Sequence, residues 1–507
     1  MYRRDEVGEG MTTIELIRRT ESHGERTALL CGKRTYTYLD LLEASAAVAS
    51  ALLGGSDDLE EARIAFFIPA GFDYVAVQWG VWRAGGIAVP LNTAAAEPEI
   101  EHVLNDAEVS ALVLPRSLRD RIGPQCDRLG IDVLTVEDAL NVDPTALPGL
   151  SPDRRAMMLY TSGTTSKPKG VVTTHANNEA QVRSLVEAWG WRSDDHIPLF
   201  LQLHHVHGII NILTCGLWSG ATVEVFEGFD ADKVLARVAD GAFTLFMAVP
   251  TIYVKLIRAI EETELGERQR IIAGFGGMRL MISGSAALPA SDHEHWTDLT
   301  GQKLLERYGM TEIGMGISNP LDGERRPGAV GRPLPGVEVR LVSESGEVIE
   351  GEDEPGEIQI RGSAVFLEYW RNPEVTAESF VDGWFKTGDM AILEIGYYRI
   401  LGRLSVDIIK SGGYKLSALE IEDALRQHPA IRECAVVGVE DDTWGEAVAV
   451  AAEIHEGAEL ELDGLRGWAS DKLSKYKLPK LLEVVGALPR NAMGKVTKPA
   501  VRTLFEG

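Results

Sequence analysis

A stretch rich in hydroxyl groups, glycine and lysine runs from Tyr160 to Gly170 and could bind phosphate. Its candidate side-chain donors are Thr161, Ser162, Thr164, Thr165, Ser166, Lys167 and Lys169. Gly163 and Gly170 let the backbone approach a ligand closely, so N–H groups can add to these donors. The stretch is not a P-loop, because Pro168 stands where that motif has glycine and Gly170 where it has serine or threonine. A polar loop between two strands is the alternative interpretation.

A second candidate is the string Glu306-Arg-Tyr-Gly-Met-Thr-Glu312. A strand that ends in Tyr308-Gly309 offers an aromatic face to a purine. Thr311 can donate to a phosphate oxygen, and the Glu312 carboxylate can bind Mg²⁺. Taken alone, the string is equally compatible with a strand end followed by a glycine turn.

Two further strings end in residues suited to nucleotide chemistry. In Lys386-Thr-Gly-Asp389, the aspartate could accept hydrogen bonds from both ribose hydroxyls, and Arg403 further on supplies a cation. The string Pro489-Arg-Asn-Ala-Met-Gly-Lys495 ends in a lysine. The alternatives are an Asx-turn for the first and an exposed turn with a solvated lysine for the second.

These four motifs resemble, in order and in residue type, the signatures of the adenylate-forming superfamily, which includes acyl-CoA synthetases, luciferases and peptide-synthetase adenylation domains. The resemblance spans about residues 25 to 500. It implies that a carboxylate attacks the α-phosphorus of ATP·Mg²⁺ to give an acyl-adenylate and pyrophosphate. A small C-terminal domain then moves, and the thiol of coenzyme A displaces AMP.

The resemblance also assigns roles to individual residues. The catalytic residues it implies are Lys495, Thr311, Glu312 and His205. The implied Mg²⁺ ligands are Glu312 and, more weakly, Thr161. ATP and AMP binding is assigned to Thr161, Ser162, Gly163, Thr164, Thr165, Lys169, Ser285, Ala286, Ala287, Arg307, Tyr308, Gly309, Met310, Thr311, Asp389, Arg403 and Lys495. The pantetheine arm of coenzyme A is expected to contact Ser411, Gly412, Gly413, Tyr414 and Lys415. Ser405 stands at the family's hinge, where many members have aspartate or lysine.

The acyl pocket is expected to be lined by Leu203–Gly208, Val249–Lys255 and Met310. Its assigned substrate contacts are His205, Lys255, Ser283, Gly284, Arg307 and Met310. Lys255 and Arg307 bring two cations into segments that otherwise predict an apolar wall. A buried unpaired cation costs roughly several kcal/mol unless an anion joins it, and a second substrate carboxylate would be such an anion.

The strings His204-His-Val-His-Gly208, Val249–Lys255, Ser283–Pro289 and Glu306–Glu312 further resemble malonate– and methylmalonate–CoA ligases, whose bacterial members often have arginine where Lys255 stands. The resemblance therefore implies a malonate or methylmalonate substrate. Two alternatives stay open. One is a CoA ligase for short-chain, medium-chain or aryl monocarboxylic acids. The other is an acyl-AMP-forming protein without transfer to CoA, although we expect no carrier-protein segment after residue 500. Lys255 could also be an ordinary lysine on a helix surface.

The composition limits which classes of partner and which cellular compartments are expected. The 507 residues carry 50 basic and 76 acidic side chains, a net charge of −26, which argues against nucleic acid or an anionic membrane as a partner. Cys31, Cys126, Cys215 and Cys434 lack metal-ligand spacing, and we expect reduced thiols in the cytoplasm or an organellar matrix. We expect no transmembrane helix and no signal peptide. The sequence leaves open whether the protein is a monomer or a homodimer.

Strands and helices alternate along the first 300 residues. Arg63–Ile68, Ile87–Pro90, Ala221–Phe226 and Thr244–Val249 have the patterns of buried strands. Alternation of this kind predicts a largely parallel sheet with helices on both faces. Period-two strands at Val337–Val342, Gly356–Arg361 and Gly396–Leu401 predict an attached antiparallel module. The expected fold is α/β, with an N-terminal domain over 1–402 and a mobile α+β domain over 403–507. Ser417–Glu420 predicts a capping box at the start of a helix.

Overall fold

The computed structural model describes residues 14–161, 168–411, 414–441, 443–490 and 496–505, and of Lys415 it describes only the backbone. Within these ranges the expected fold class is confirmed. A large mixed α/β region is followed by an antiparallel β module and then by a smaller α+β region. None of the helices in the described ranges has the length and apolar character needed to cross a membrane.

The strands follow the chain in three groups. Those before residue 300 are β1 (Thr27–Cys31), β2 (Arg34–Thr37), β3 (Arg63–Phe66), β4 (Ile87–Pro90), β5 (Ala111–Leu114), β6 (Asp132–Thr135), β7 (Arg155–Thr161), β8 (Lys169–Thr174), β9 (His196–Leu199), β10 (Thr222–Val225), β11 (Leu245–Ala248) and β12 (Leu280–Ser283). The next are β13 (Leu305–Met310), β14 (Gly314–Ser318), β15 (Arg332–Pro333), β16 (Val337–Val342), β17 (Val348–Ile349), β18 (Gly356–Gly362), β19 (Glu368–Tyr369), β20 (Phe380–Val381), β21 (Trp384–Glu394) and β22 (Tyr397–Arg403). The last are β23 (Ile408–Ser411), β24 (Tyr414–Ser417), β25 (Ile431–Asp441), β26 (Gly445–Ile454) and β27 (Leu481–Val484).

The helices of the large region are α1 (Glu15–His23), α2 (Tyr38–Leu53), α3 (Phe72–Arg83), α4 (Glu97–Asp106), α5 (Arg119–Leu129), α6 (Val136–Ala139), α7 (His175–Ala188), α8 (Cys215–Ser219), α9 (Ala231–Ala239), α10 (Pro250–Glu262), α11 (Leu265–Gly276), α12 (Ala290–Thr300) and α13 (Pro373–Glu378). Those of the small region are α14 (Ala418–Leu425), α15 (Leu462–Ala469) and α16 (Lys498–Arg502). A π-helical segment, His207–Thr214, leads into α8.

A seven-stranded sheet contains the two strands that precede and follow the predicted phosphate-binding residues. Its order is β19-β8-β7-β4-β3-β5-β6. Strands β7, β4, β3, β5 and β6 are parallel, whereas β8 and β19 add antiparallel strands at one edge. The inner strands β3, β4 and β5 are mostly apolar and buried, as expected for a sheet covered on both faces.

A five-stranded sheet of order β11-β12-β13-β14-β15 carries the second motif. Strands β11, β12 and β13 are parallel, so their carboxyl ends meet at one edge of the sheet. Ser283 ends β12, and Arg307 to Met310 form the end of β13. Such an edge is where open α/β sheets bind ligands.

The antiparallel module has six strands, with β17-β16-β18-β21-β20 in order and β22 paired with β21. This confirms the prediction from the period-two pattern. Asp389 on β21 pairs directly with Arg403 on β22. The module therefore places the third motif and the arginine that follows it side by side.

The small region is a five-stranded sheet, β24-β23-β26-β25 with β27 beside β26, packed against α14 and α15. Ser417 caps α14 by accepting from the Glu420 N–H. The predicted capping box is only half formed, because the Glu420 carboxylate pairs with Lys477 Nζ instead of returning to the cap. The division predicted between residues 402 and 403 falls within β22, one residue before the strand ends at Arg403. The division stays a prediction.

Candidate active site

The stretch Tyr160–Gly170, predicted to bind phosphate and called the phosphate-binding stretch below, connects β7 to β8, an antiparallel pair in which Thr161 lies opposite Lys169. Four residues assigned to ATP binding lie outside the described residues: Ser162, Gly163, Thr164 and Thr165. Lys169 is described, and its Nζ lies 5.4 Å from the ring centre of Tyr369. This is a cation–π distance, and it holds one predicted phosphate ligand over an aromatic ring at the sheet edge.

Three residues assigned to the nucleotide converge from distant parts of the chain. The Tyr308 hydroxyl donates to Asp389 Oδ2 at 2.6 Å, and Arg403 Nε lies 3.0 Å from Asp389 Oδ1. Burial, and the nearby Asp389 charge, raise the pKa of Tyr308 well above its usual value. The phenol therefore stays protonated, and Asp389 is fixed by a donor on each oxygen.

Glu312 lies just beyond β13 and is buried. Its Oε1 accepts a hydrogen bond of 2.9 Å from the Tyr369 hydroxyl. Burial raises the pKa of this carboxyl. In the described part of the chain no basic side chain forms an ion pair with it. A buried carboxylate without such a partner is suited to a divalent cation.

The described contacts also unite Arg307, Ser285 and His207. Arg307 is 3% exposed, and its Nη2 lies 3.3 Å from Ser285 Oγ. His207 Nδ1 lies 3.1 Å from the same oxygen. Burial lowers the pKa of Arg307 to about 9. Throughout the described ranges, no carboxylate lies within ion-pair distance of this guanidinium.

Arg307 packs closely against Gly284 in the turn after β12. A Cβ on Gly284 would lie 2.6 Å from Arg307 Cζ, far inside contact distance. The next residue, Ser285, has φ +74°, which a side chain rarely adopts. The turn is therefore shaped around the guanidinium, with Ser283 buried before it and Ala286 and Ala287 exposed after it.

His207 is a site residue to which sequence reasoning gave a place in the pocket wall but no role. Burial, with the Arg307 charge beside it, keeps the pKa of His207 well below its usual value, so the ring is neutral. His207 opens the π-helical segment, a conformation that occurs often at functional sites. His205, the predicted catalytic histidine, is half-buried beside His204, with ring centres 4.2 Å apart. Its catalytic role stays a prediction.

Lys255 requires a correction. The apolar-wall environment expected for it is wrong, because its side chain is exposed on α10. The buried face of that helix is formed by Ile252, Tyr253 and Leu256, and Lys255 falls outside it. No described contact joins Lys255 to Arg307. The buried cation of this region is therefore Arg307.

The remaining residues of the Glu306–Glu312 motif lie at the end of β13 and in the turn that follows it. Gly309, Met310 and Thr311 are half-buried at the end of the strand. A Cβ on Gly309 would lie 2.1 Å from the Gly314 carbonyl oxygen, so only glycine fits the close pairing of β13 with β14.

Glu306 precedes Arg307 on β13, yet the two do not pair. The Glu306 carboxyl is buried and accepts from the Gly328 N–H at 2.9 Å. Burial, which outweighs this hydrogen bond, raises the pKa of Glu306 to about 8. Near neutral pH the folded protein therefore holds this group largely as the uncharged acid.

Glu306→Gln is expected to make the protein more stable at alkaline pH relative to wild type. A raised folded-state pKa gives stability that is full below about pH 4.5 and falls as pH rises toward 8, by at most about 1.4 kcal/mol per pH unit. Glutamine keeps an acceptor for Gly328 and has no proton to lose. Thermal unfolding at pH 5 and pH 9 should show a difference in Tm that grows with pH, and a difference independent of pH would contradict the buried-acid assignment.

The loop assigned to coenzyme A lies between β23 and β24. Gly412, Gly413 and the Lys415 side chain lie outside the described part, whereas Ser411 is buried and Tyr414 is exposed. Tyr414 stacks on Tyr476 with ring centres 4.4 Å apart. Close by, Ser411 pairs with Gly445, and Lys480 Nζ lies 3.7 Å from the ring centre of Trp444. This region of the small domain is aromatic and basic in a chain that is acidic as a whole.

Lys495 lies outside the described residues, but the chain on both sides is described. Arg490 forms a bridge with Val496, and the Thr497 N–H donates to the Pro489 carbonyl at 2.9 Å. Further on, Lys498 Nζ lies 2.8 Å from Asp407 Oδ1 and 2.6 Å from Glu422 Oε1. The segment that follows Lys495 is therefore tied to the turn after β22, where Ser405 lies.

Comparison with known proteins gives consistent matches. The profile of AMP-binding enzymes matches residues 16–370, and that of the AMP-binding enzyme C-terminal domain matches residues 420–495. A mitochondrial malonate–CoA ligase ACSF3 of Xenopus laevis is 43% identical over 97% of this chain and 92% of its own length. A malonate–CoA ligase of Arabidopsis thaliana is 38% identical over 95% and 86%. The crystal structure of ATP-bound MatB from Rhodopseudomonas palustris superposes with a TM-score of 0.90 at 33% identity, covering 98% of this chain and 99% of that one.

Proposed function

Because the chain belongs to the family of AMP-binding enzymes, we propose that it is an ATP-dependent malonate–CoA ligase that releases AMP and pyrophosphate. The observation that carries the choice of acid is the buried Arg307 guanidinium, which has no acidic partner among the described residues and lies beside the turn assigned to the acyl group. Similarity to chains named malonate–CoA ligase supports the same choice. Methylmalonate presents the same two carboxylates.

The first half-reaction joins the substrate carboxylate to AMP. A carboxylate oxygen attacks the α-phosphorus, a P–O bond forms, and the bond to pyrophosphate breaks. Negative charge spreads over the phosphoryl oxygens and is stabilised by fixed cations and donors. We assign this stabilisation to Lys495, Arg403 and Thr311, and the binding of the leaving pyrophosphate to the residues from Thr161 to Lys169.

Asp389 is proposed to hold the ribose. Its carboxylate is fixed by Tyr308 on one side and Arg403 on the other. A carboxylate held this way can still accept from hydroxyls through its remaining lone pairs. The pairing also keeps Arg403 at a set position beside the nucleotide.

Magnesium, bound with ATP, would neutralise phosphate charge. The residues present fit it, because Glu312 is a buried carboxylate with no ion-pair partner among the described residues. Glu312 would hold the ion, with Thr161 as a weaker ligand.

The second carboxylate of malonate is proposed to lie against Arg307. An uncompensated buried guanidinium is costly, and a carboxylate ligand would remove that cost through a charge-assisted hydrogen bond. Ser285 Oγ accepts from the Arg307 guanidinium and shares a second hydrogen bond with His207 Nδ1, which fixes the orientation of both side chains. Neutral His207 adds a polar neighbour without adding charge.

The second half-reaction is proposed to use the small domain. The thiolate of coenzyme A attacks the acyl carbon, a C–S bond forms, and AMP leaves. We assign the pantetheine arm to Ser411–Lys415, and the neighbouring Tyr414, Tyr476, Trp444 and Lys480 suit an anionic nucleotide with an aromatic base. A hinge at Ser405 would separate domains 1–402 and 403–507.

Product analysis tests the reaction class. The protein is incubated with ATP, Mg²⁺ and malonate, with and without coenzyme A, and nucleotides and thioesters are identified by mass spectrometry. Malonyl-CoA, AMP and pyrophosphate in equal amounts are expected when coenzyme A is present. Steady release of AMP with no thioester would instead support an acyl-AMP-forming protein.

The compartment is proposed to be the cytoplasm or an organellar matrix.

A further inference from the structure

We propose that Tyr369 is a positioning residue for metal-dependent nucleotide binding, with its hydroxyl orienting the Glu312 carboxylate and its ring supporting the Lys169 ammonium. This inference rests on the proposed function, because it takes Glu312 as the magnesium ligand and Lys169 as a phosphate ligand. Tyr369 lies outside the four motifs identified in the sequence.

The hydroxyl contact is specific to one oxygen of the carboxylate. Tyr369 donates to Glu312 Oε1 at 2.9 Å, and both residues are buried, with Tyr369 9% exposed. It is the one side chain in the described ranges that donates to this carboxylate. Outer hydrogen bonds of this kind hold a metal-binding carboxylate in a single orientation and leave its other oxygen for the ion.

The ring of Tyr369 contacts Lys169, the second group that the inference concerns. Lys169 Nζ lies 5.4 Å from the Tyr369 ring centre. The ring is itself fixed by Phe366, edge to face at 4.8 Å. A single side chain thus contacts both the cation that ends the phosphate-binding stretch and the carboxylate that follows β13.

The backbone around Tyr369 makes the same connection. Tyr369 pairs with Val171 on β8, and the Trp370 N–H donates to the Gly170 carbonyl at 2.8 Å. The Phe366 N–H donates to the Glu312 carbonyl at 2.7 Å. Residues 366–370 therefore connect the end of the phosphate-binding stretch to the turn that contains Glu312. Tyr369 lies within this connecting segment.

Tyr369→Phe separates the two contacts. Phenylalanine keeps the ring beneath Lys169 and its packing on Phe366. It removes the hydroxyl, which donates to Glu312 and also interacts with the Ser379 side chain. Tyr397→Phe is a matched control, because the Tyr397 hydroxyl on β22 donates to the backbone carbonyl of Glu324 and makes no described contact with Glu312 or Lys169. A second variant, Tyr369→Leu, removes the ring as well.

The test is calorimetric binding of α,β-methylene-ATP to the full chain, with Mg²⁺ or with EDTA. In Tyr369→Phe, the factor by which Mg²⁺ tightens binding is expected to fall about 10- to 100-fold, or to unity if the wild-type factor is smaller. Its affinity without metal should stay within about twofold of wild type. Tyr397→Phe should match wild type in both conditions, and Tyr369→Leu should also lose affinity without metal.

Equal losses with and without Mg²⁺ in Tyr369→Phe would show a merely structural role and overturn the inference. An unchanged Mg²⁺ factor in that variant, with a large factor in wild type, would overturn the inference and leave the proposed function intact. If wild type itself bound the analogue without any effect of Mg²⁺, the assignment of Glu312 under the proposed function would fail too.

Discussion

Lys495→Ala is expected to lower the rate of malonate-dependent pyrophosphate release by about 10²- to 10³-fold, the usual effect of losing a preorganised charge at a reacting phosphate. The thioester half-reaction, started from supplied malonyl-adenylate and coenzyme A, should change far less. The reason is that, in the proposed mechanism, the small domain moves and presents Lys495 to the nucleotide only during the first half-reaction. The two rates are measured separately, by pyrophosphate release and by thiol consumption.

Lys472→Ala is the matched control for this experiment. Lys472 is also a lysine of the small domain, but it is exposed, contacting Gln427 and the ring of Trp468. Both half-reactions should keep wild-type rates in the control. Equal losses in both half-reactions of Lys495→Ala would contradict a two-conformation mechanism, since they would place the lysine in the site throughout.

Arg307→Met is expected to lower kcat/KM for malonate by about 10- to 100-fold and to leave kcat/KM for propionate level or improved. A charge-assisted hydrogen bond is worth roughly 1.5–3 kcal/mol, and only the dicarboxylate would lose it. Methionine fills much of the space of the arginine stem and leaves no buried acid unpaired among the described residues. Thermal unfolding of the variant checks that the fold is retained.

Lys255→Met provides a comparison within the same region. Because Lys255 is exposed on α10, its interaction with a substrate anion would be screened by water, and we expect a smaller loss than for Arg307→Met. If Arg307→Met left the ratio of malonate to propionate unchanged while Lys255→Met lowered it, the second carboxylate would lie on the exposed lysine. If neither variant changed the ratio, the dicarboxylate assignment would be wrong.

Much of the fold followed from local patterns. The apolar run at Ile87–Pro90 coincides with β4, and the period-two alternation at Val337–Val342 coincides with β16 of the predicted antiparallel module. These elements were predictable because their hydrophobic period is a local property of the chain. The capping box predicted at Glu420 is incomplete because Lys477, 57 residues further along the chain, pairs with the Glu420 carboxylate. A pairing over this distance cannot be predicted from local sequence.

The site was predictable as a set of motifs but not as a set of contacts. The Tyr308–Asp389 hydrogen bond joins residues 81 positions apart, and the Tyr369–Glu312 bond joins residues 57 apart. Only the packing of separate sheets brings such pairs together. Lys255 shows an avoidable error, because Ile252, Tyr253 and Leu256 define the buried face of α10 and helical periodicity places Lys255 outside it.

The most direct test of the central claim is the ranking of acids by kcat/KM for CoA thioester formation in the wild-type protein. Malonate, methylmalonate, propionate, octanoate and benzoate are compared at saturating ATP, Mg²⁺ and coenzyme A. We predict that malonate or methylmalonate exceeds every monocarboxylate by at least about tenfold, the effect of one charge-assisted contact. A monocarboxylate that equalled or exceeded malonate would contradict a substrate site built around Arg307.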